Sequence, residues 1–149
     1  MDLLSEHYLL LELVKQGFLL PLTSDDAQQK AHSANQEWLE RIQAKPVSFL
    51  RDYDLLFRKV TDELINKGYD FSMKHPHQTL RKILIKHSAP TDEIDNMISC
   101  RHALKYHRIE HANPSAIATL QKLLQTTVFK TPAYASRLKW THYLMLVPL

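Results

Sequence analysis

"FLRDYDLLFRKVTDELINKGY" (Phe49–Tyr69) settles the fold class. Phe49, Tyr53, Leu56, Val60 and Leu64 recur at three- and four-residue spacing, which puts them on one face of an α-helix and makes that face a core surface. Gly68 closes the run. Glycine readily takes the left-handed conformation that ends a helix, and Tyr69 after it is an aromatic able to fold back on the last turn. The only other glycine, Gly17, ends the run Leu3–Lys15 in the same way and is followed by Phe18.

Outward from this helix, further starts are marked by capping residues and prolines. They stand at Thr23 or Ser24 before "DDAQQKAHSANQEWLERIQ", at Pro76 in "HPHQTLRKILIKH", at Thr91 before "DEIDNMIS", at Asn113-Pro114 before "SAIATLQKLLQ" and at Thr131-Pro132 before "AYASRLKWTHYLML". Leu80, Ile83 and Leu84 supply a second core face. No segment alternates with period two, so no strand is expected, and the one longer connection is "GYDFSMKHPH" (Gly68–His77). No repeat or linker divides the chain. The expectation is one all-α domain over residues 1–149, an up-and-down helical bundle of about six to seven helices.

Composition narrows the function. Cys100 is the sole cysteine, so no internal disulfide forms and the chain suits a reducing cytoplasm. The N-terminus begins acidic, with Glu6, Glu12 and Lys15 interrupting its apolar face, and no apolar run is long enough to span a bilayer; a soluble cytoplasmic protein without a membrane partner is expected. Charge is uneven. Residues 1–98 carry 12 Lys/Arg against 15 Asp/Glu, whereas residues 99–149 carry seven against Glu110 alone. A basic portion of this kind points to an anionic partner, nucleic acid being the commonest, with an acidic protein or a sister subunit as the alternative.

The basic portion opens with "SCRHALKYHRIEH" (Ser99–His111). Ile94, Met97, Ile98 and Leu104 form an apolar helical stripe, and Arg101 lies within it. A guanidinium placed there needs a carboxylate, carbonyls, a ligand or a subunit interface. Lys105 and Arg108 continue the face at i+4 and i+7, giving a basic strip on which a phosphate can sit. His107 and His111 have the spacing of two metal ligands, but no cysteine or second pair completes a set and Glu110 is expected to point elsewhere; neither a metal site nor a cofactor is expected. Dinucleotide, P-loop, nucleophile-elbow and zincin motifs are absent, and nothing in the sequence activates Cys100. His75 and His77 are read as helix-start residues, with additional metal ligands or an acid/base role as the alternative.

Two segments together resemble a known family. "YDLLFRKVTDELINKGYDFSMKHPHQTLRKIL" gives a helix ending in Gly-Tyr, a polar loop, and a histidine leading into a second helix; "RHALKYH" follows about 30 residues on. This order resembles the HEPN superfamily, small helical domains marked by an arginine, a polar residue and a histidine, with four to six residues between the arginine and the histidine. Arg101, His102 and His107 match, and Tyr106 stands where the tighter form of the motif has its histidine. The resemblance covers residues 49–112 and implies metal-independent RNA cleavage at a homodimer interface, often by a toxin paired with an antitoxin. On that reading the catalytic set is Arg101, His102, Tyr106 and His107, with Lys105 and Arg108 binding RNA. Arg101 would stabilise charge on the phosphate and His107 would take the 2′-hydroxyl proton, while His102 orients a partner group or the phosphate. Positions 101 and 107 lie about 120° apart on an ideal helix, so they converge only through a kink or across two subunits. The apolar C-terminus, including Leu138, Trp140 and Tyr143, is expected to supply part of a homodimer contact. The alternative is a non-catalytic helical module that binds protein or nucleic acid.

Overall fold

The computed structural model describes residues 3–87 and 90–129. Six helices are seen there: α1 (Leu3–Lys15), α2 (Ser24–Gln43), α3 (Phe49–Lys67), α4 (Pro76–His87), α5 (Thr91–Lys105) and α6 (Pro114–Gln125). The helix expected from Pro132 and the apolar C-terminal contact lie outside the described residues.

The caps explain the boundaries. Thr23, Ser48 and Asn113 each accept a hydrogen bond from the backbone N–H three residues on, and Pro114 fills the first position of α6, where no donor is lost. Thr91 is the first residue of α5 rather than its cap, which is Pro90. Gly68 takes φ 96° and its N–H closes onto the last turn of α3. Gly17, at φ 82°, ends α1 likewise and turns Phe18 into the core.

The expectation of no strand is corrected. β1 (Leu19–Pro21) and β2 (Tyr69–Phe71), each emerging directly from one of the glycine stops, pair antiparallel with Leu19 opposite Phe71 and Pro21 opposite Tyr69. Three residues per strand are too few to show an alternation, so this ladder follows from the placement of two helix ends rather than from a strand signal. The ladder converts much of the expected polar loop into a fixed wall, leaving Ser72–His75 as the connection to α4.

α3 is the central helix, packed against α2, α5 and α6, while α4 and α6 both pack on α5. Tyr53, Leu56, Val60 and Leu64 are buried as the spacing predicts, and they join Leu80, Ile83 and Leu84 of α4 in one core cluster with residues of α1, α5 and α6. α3 also clamps the end of α6. Lys59 Nζ donates to the carbonyls of Leu123 (2.6 Å) and Leu124 (3.3 Å), and Glu63 Oε1 accepts from the amides of Val128 (3.2 Å) and Phe129 (3.5 Å).

Candidate functional site

Arg101 sits on α5 three residues after Ile98 and four after Met97, on the side of the helix that meets α3. Its guanidinium lies 5.1 Å from the centroid of the Tyr53 ring. Sequence logic required an acceptor for this charge. Among the described residues it has no carboxylate and no hydrogen bond, and the face of an aromatic ring takes the acceptor's place.

Tyr53 is itself wholly buried, and its hydroxyl is 3.2 Å from Nδ1 of His77, at the start of α4. Burial pushes the Tyr53 phenol up to about 12, against the opposing pull of Arg101. Burial also lowers His77, helped by the positive charges of Arg101 and Lys105 and opposed by Asp54. At neutral pH the pair is therefore a phenol and a neutral imidazole. Whichever ring nitrogen carries the proton, Tyr53 holds Nδ1, leaving Nε2 as donor in one tautomer and as base in the other. Phe57, one turn after Tyr53, flanks the imidazole with ring centroids 5.3 Å apart.

Arg101, His77 and Phe57 line a cleft of about 540 Å³, with Tyr53 buried behind them, to which α2, α3, β2, α4 and α5 contribute. Its charges are mostly settled by pairs. Lys30 bonds Asp70 at 2.7 Å, Asp54 is held by Lys45 at 2.8 Å, and Arg58 meets Asp62 one turn along α3. Arg101 is the cation in the cleft lining that has no carboxylate among the described residues. Arg58 is only partly compensated. It is 7% exposed; its Nη2 meets Asp62 Oδ1 at 2.5 Å, while its buried Nε has no hydrogen-bond partner among the described residues. Burial raises Asp62 more strongly than the charge and hydrogen bond of Arg58 lower it.

The second half of the motif goes elsewhere. α5 ends at Lys105, with Tyr106 at its cap, and His107 takes the left-handed φ of 59° that glycine takes after α1 and α3. The Arg108 amide then donates back to the Ala103 carbonyl at 2.8 Å, so Arg108 does not extend the Arg101–Lys105 strip; a helix extrapolated to position 108 overruns a stop that no glycine or proline marks. His102 and Tyr106 form an exposed ring pair with centroids 4.6 Å apart, Tyr106 being 57% exposed. His107, Glu110 and His111 line a separate hollow with Ser48, Phe49 and Leu104. Glu110 thus faces the same hollow as the two histidines, contrary to expectation, yet among the described residues no three His, Cys, Asp or Glu side chains gather as metal ligands.

The structure therefore brings Arg101 together with His77 and Tyr53 and keeps His107 out of that cleft within one chain. His77 was legible only as one half of "HPH", and its meeting with Tyr53 depends on α3 and α4 packing across the Gly68 turn. Cys100 is buried and unpaired by any disulfide. No helix among the described residues is long and apolar enough to cross a membrane. No protein family, curated protein or solved structure matches the chain.

Proposed function

We propose that the Arg101 cleft binds a phosphodiester of RNA and that the chain is a HEPN-like, metal-independent endoribonuclease acting as a homodimer, in the manner of a toxin held by an antitoxin. The observation that carries this reading is Arg101 itself, a guanidinium in a cleft whose other charges are paired, stacked on a ring and left without an anion. Such a group stabilises charge as it grows on phosphate oxygens. Neutral His77 beside it accepts the 2′-hydroxyl proton as the 2′-oxygen attacks phosphorus, and the P–O5′ bond breaks to leave a cyclic phosphate and a 5′-hydroxyl that gains a proton. His107 lines another hollow of its own subunit, so its part in the same reaction falls to a second copy of the chain. Lys105 and the exposed His102–Tyr106 pair flank the strand, the rings as a surface on which an unpaired base stacks.

The separation of His107 from Arg101 favours one alternative, a module that binds RNA without cutting it. Cleavage of labelled single-stranded RNA by purified protein in excess chelator distinguishes the two. Arg101→Ala is expected to reduce cleavage by about 10²–10³-fold, the loss seen when one oxyanion donor is removed. Binding of RNA with no cleavage by the parent protein leaves the module.

A further inference from the structure

Between Phe71 and His87 the chain carries Lys74, Arg81, Lys82 and Lys86 and no aspartate or glutamate, a basic island within its net-acidic first two thirds. Arg81 is paired with Asp95. The three lysines meet no carboxylate among the described residues. Two of them are drawn together, since Lys82 Nζ lies 4.7 Å and Lys74 Nζ 5.3 Å from the centroid of the same ring, that of Phe18. The two ammonium groups therefore stand within one Debye length at physiological salt, about 8–10 Å, and repel. Lys86 is exposed one turn beyond Lys82 on α4. The loop that brings Lys74 here is firmly held. The Ser72 amide donates to the Phe18 carbonyl at 3.1 Å, and the Ser72 hydroxyl donates to the Gly17 carbonyl at 2.6 Å while accepting from the Lys74 amide at 3.1 Å. His75 then takes a φ of 45°, uncommon for a residue with a side chain, as the chain enters α4. Between these fixed points Met73 is 98% exposed. A pinned loop thus presents an apolar thioether to solvent beside clustered cations that have no anion.

We propose that this face docks a partner protein through an acidic segment, with carboxylates on Lys74 and Lys82 and an apolar side chain over Met73. Charge complementarity selects the carboxylates, because the only polar contact of either ammonium is a long one, 3.5 Å, from Lys74 to the Gln16 carbonyl. Methionine is flexible and polarizable, and it adapts to irregular apolar protein surface. RNA fits the face less well. A surface that grips a strand offers exposed rings on which bases stack, whereas Phe18 is 9% exposed and lies beneath the two lysines. A bilayer calls for a broad apolar face or a lipid chain beside the charges, and one methionine supplies neither. The inference is independent of the RNA reading, for neither Met73 nor the lysines line the Arg101 cleft.

Titration of the full chain, followed by amide NMR shifts, tests this with an octapeptide alternating glutamate and leucine. Its glutamine–leucine counterpart, a short oligouridylate, and vesicles of three parts phosphatidylcholine to one of phosphatidylserine are titrated beside it. The acidic peptide is expected to saturate below about 1 mM, about fivefold more tightly than the glutamine peptide, and to move the resonances of Gly17, Met73 and Lys74. Lys74→Gln combined with Lys82→Gln keeps the alkyl stems over Phe18 and is expected to weaken binding by about fivefold with little change in melting. Met73→Ser, at a position whose side chain touches only solvent, is expected to weaken it by about threefold and keeps the test valid if the double variant unfolds. Four results overturn the proposal. They are no saturation up to about 5 mM, equal affinity for the glutamine peptide, binding that none of these substitutions changes, and tighter lysine-dependent binding of the oligouridylate or the vesicles, which assigns the face to RNA or to a bilayer.

Discussion

Arg101 and His107 are six positions apart in one motif, yet they occupy different physical situations. Arg101 lies on a regular helix, half buried against a ring that is fixed in the core. His107 lies past the helix cap, exposed and in a backbone conformation that side chains rarely adopt. Proximity in sequence did not make them neighbours in one cleft. The group that does join Arg101, His77, comes from another helix and is held there by Tyr53 of a third. A motif can thus mark the right helix while the residue completing its chemistry is supplied by packing.

The sharpest way to break this contrast is to remove the platform. Tyr53→Ala deletes a fully buried aromatic and is expected to cost about 3–5 kcal/mol in chemical denaturation, whereas His107→Ala should cost almost nothing. Similar losses for both would mean that the motif is one structural unit. Less severe is Arg101→Ala, which removes a cation over a ring and should lower stability by only about 0.5–1 kcal/mol, far less than the loss of about 3–5 kcal/mol expected if the arginine were a buried ion-pair member.

Proton linkage sharpens the contrast further. Unfolded histidine gains a proton near pH 6.5, but folded His77 resists it, so below that pH the unfolded chain binds more protons and stability falls until the lowered folded value is passed. Above 6.5 His77 is neutral in both states and contributes nothing to the slope. Melting of the parent and of His77→Gln between about pH 7.5 and 5.5 should show the parent losing stability more steeply on acidification. Parallel curves would place His77 in solvent. Tyr53 gives the alkaline counterpart: its folded phenol ionises at about 12 against 10.0 for a free one, so stability is kept below pH 10 and falls as pH climbs between the two values. The smallest effect is expected at the turn. His107→Gly relieves a positive φ and should raise stability by about 0.5–1 kcal/mol, and a loss instead would show that the imidazole makes a contact that the hollow does not reveal.

Most of the helical frame was legible because it is written locally. Thr23 and Asn113 cap through their own side chains, Gly17 and Gly68 stop helices through their own dihedrals, and the α3 stripe announces its buried face. What escaped lacks a local signature. The β1–β2 ladder joins three residues to three others some 50 positions away, and neither segment is long enough to alternate. The end of α5 has no glycine, and His107 takes the glycine's conformation while its own amide and that of Arg108 close back onto Leu104 and Ala103. The role of His77 depends on a hydroxyl 24 positions earlier, on a tyrosine whose spacing identified it correctly as core and therefore hid its polar end.

The Lys59–Glu63 clamp has a mechanical consequence. Tension applied to the chain beyond Phe129 is not delivered first to the end of α6, because the Val128 and Phe129 amides are fastened to Glu63 and the last carbonyls of α6 to Lys59. The load enters α3 near its middle. Two amides sharing one carboxylate oxygen carry it in parallel, and α3 is the same rod that bears Asp54, Phe57 and Arg58 along the cleft. Anything that grips this protein by the segment after Phe129 therefore pulls on the lever to which one wall of the cleft is attached.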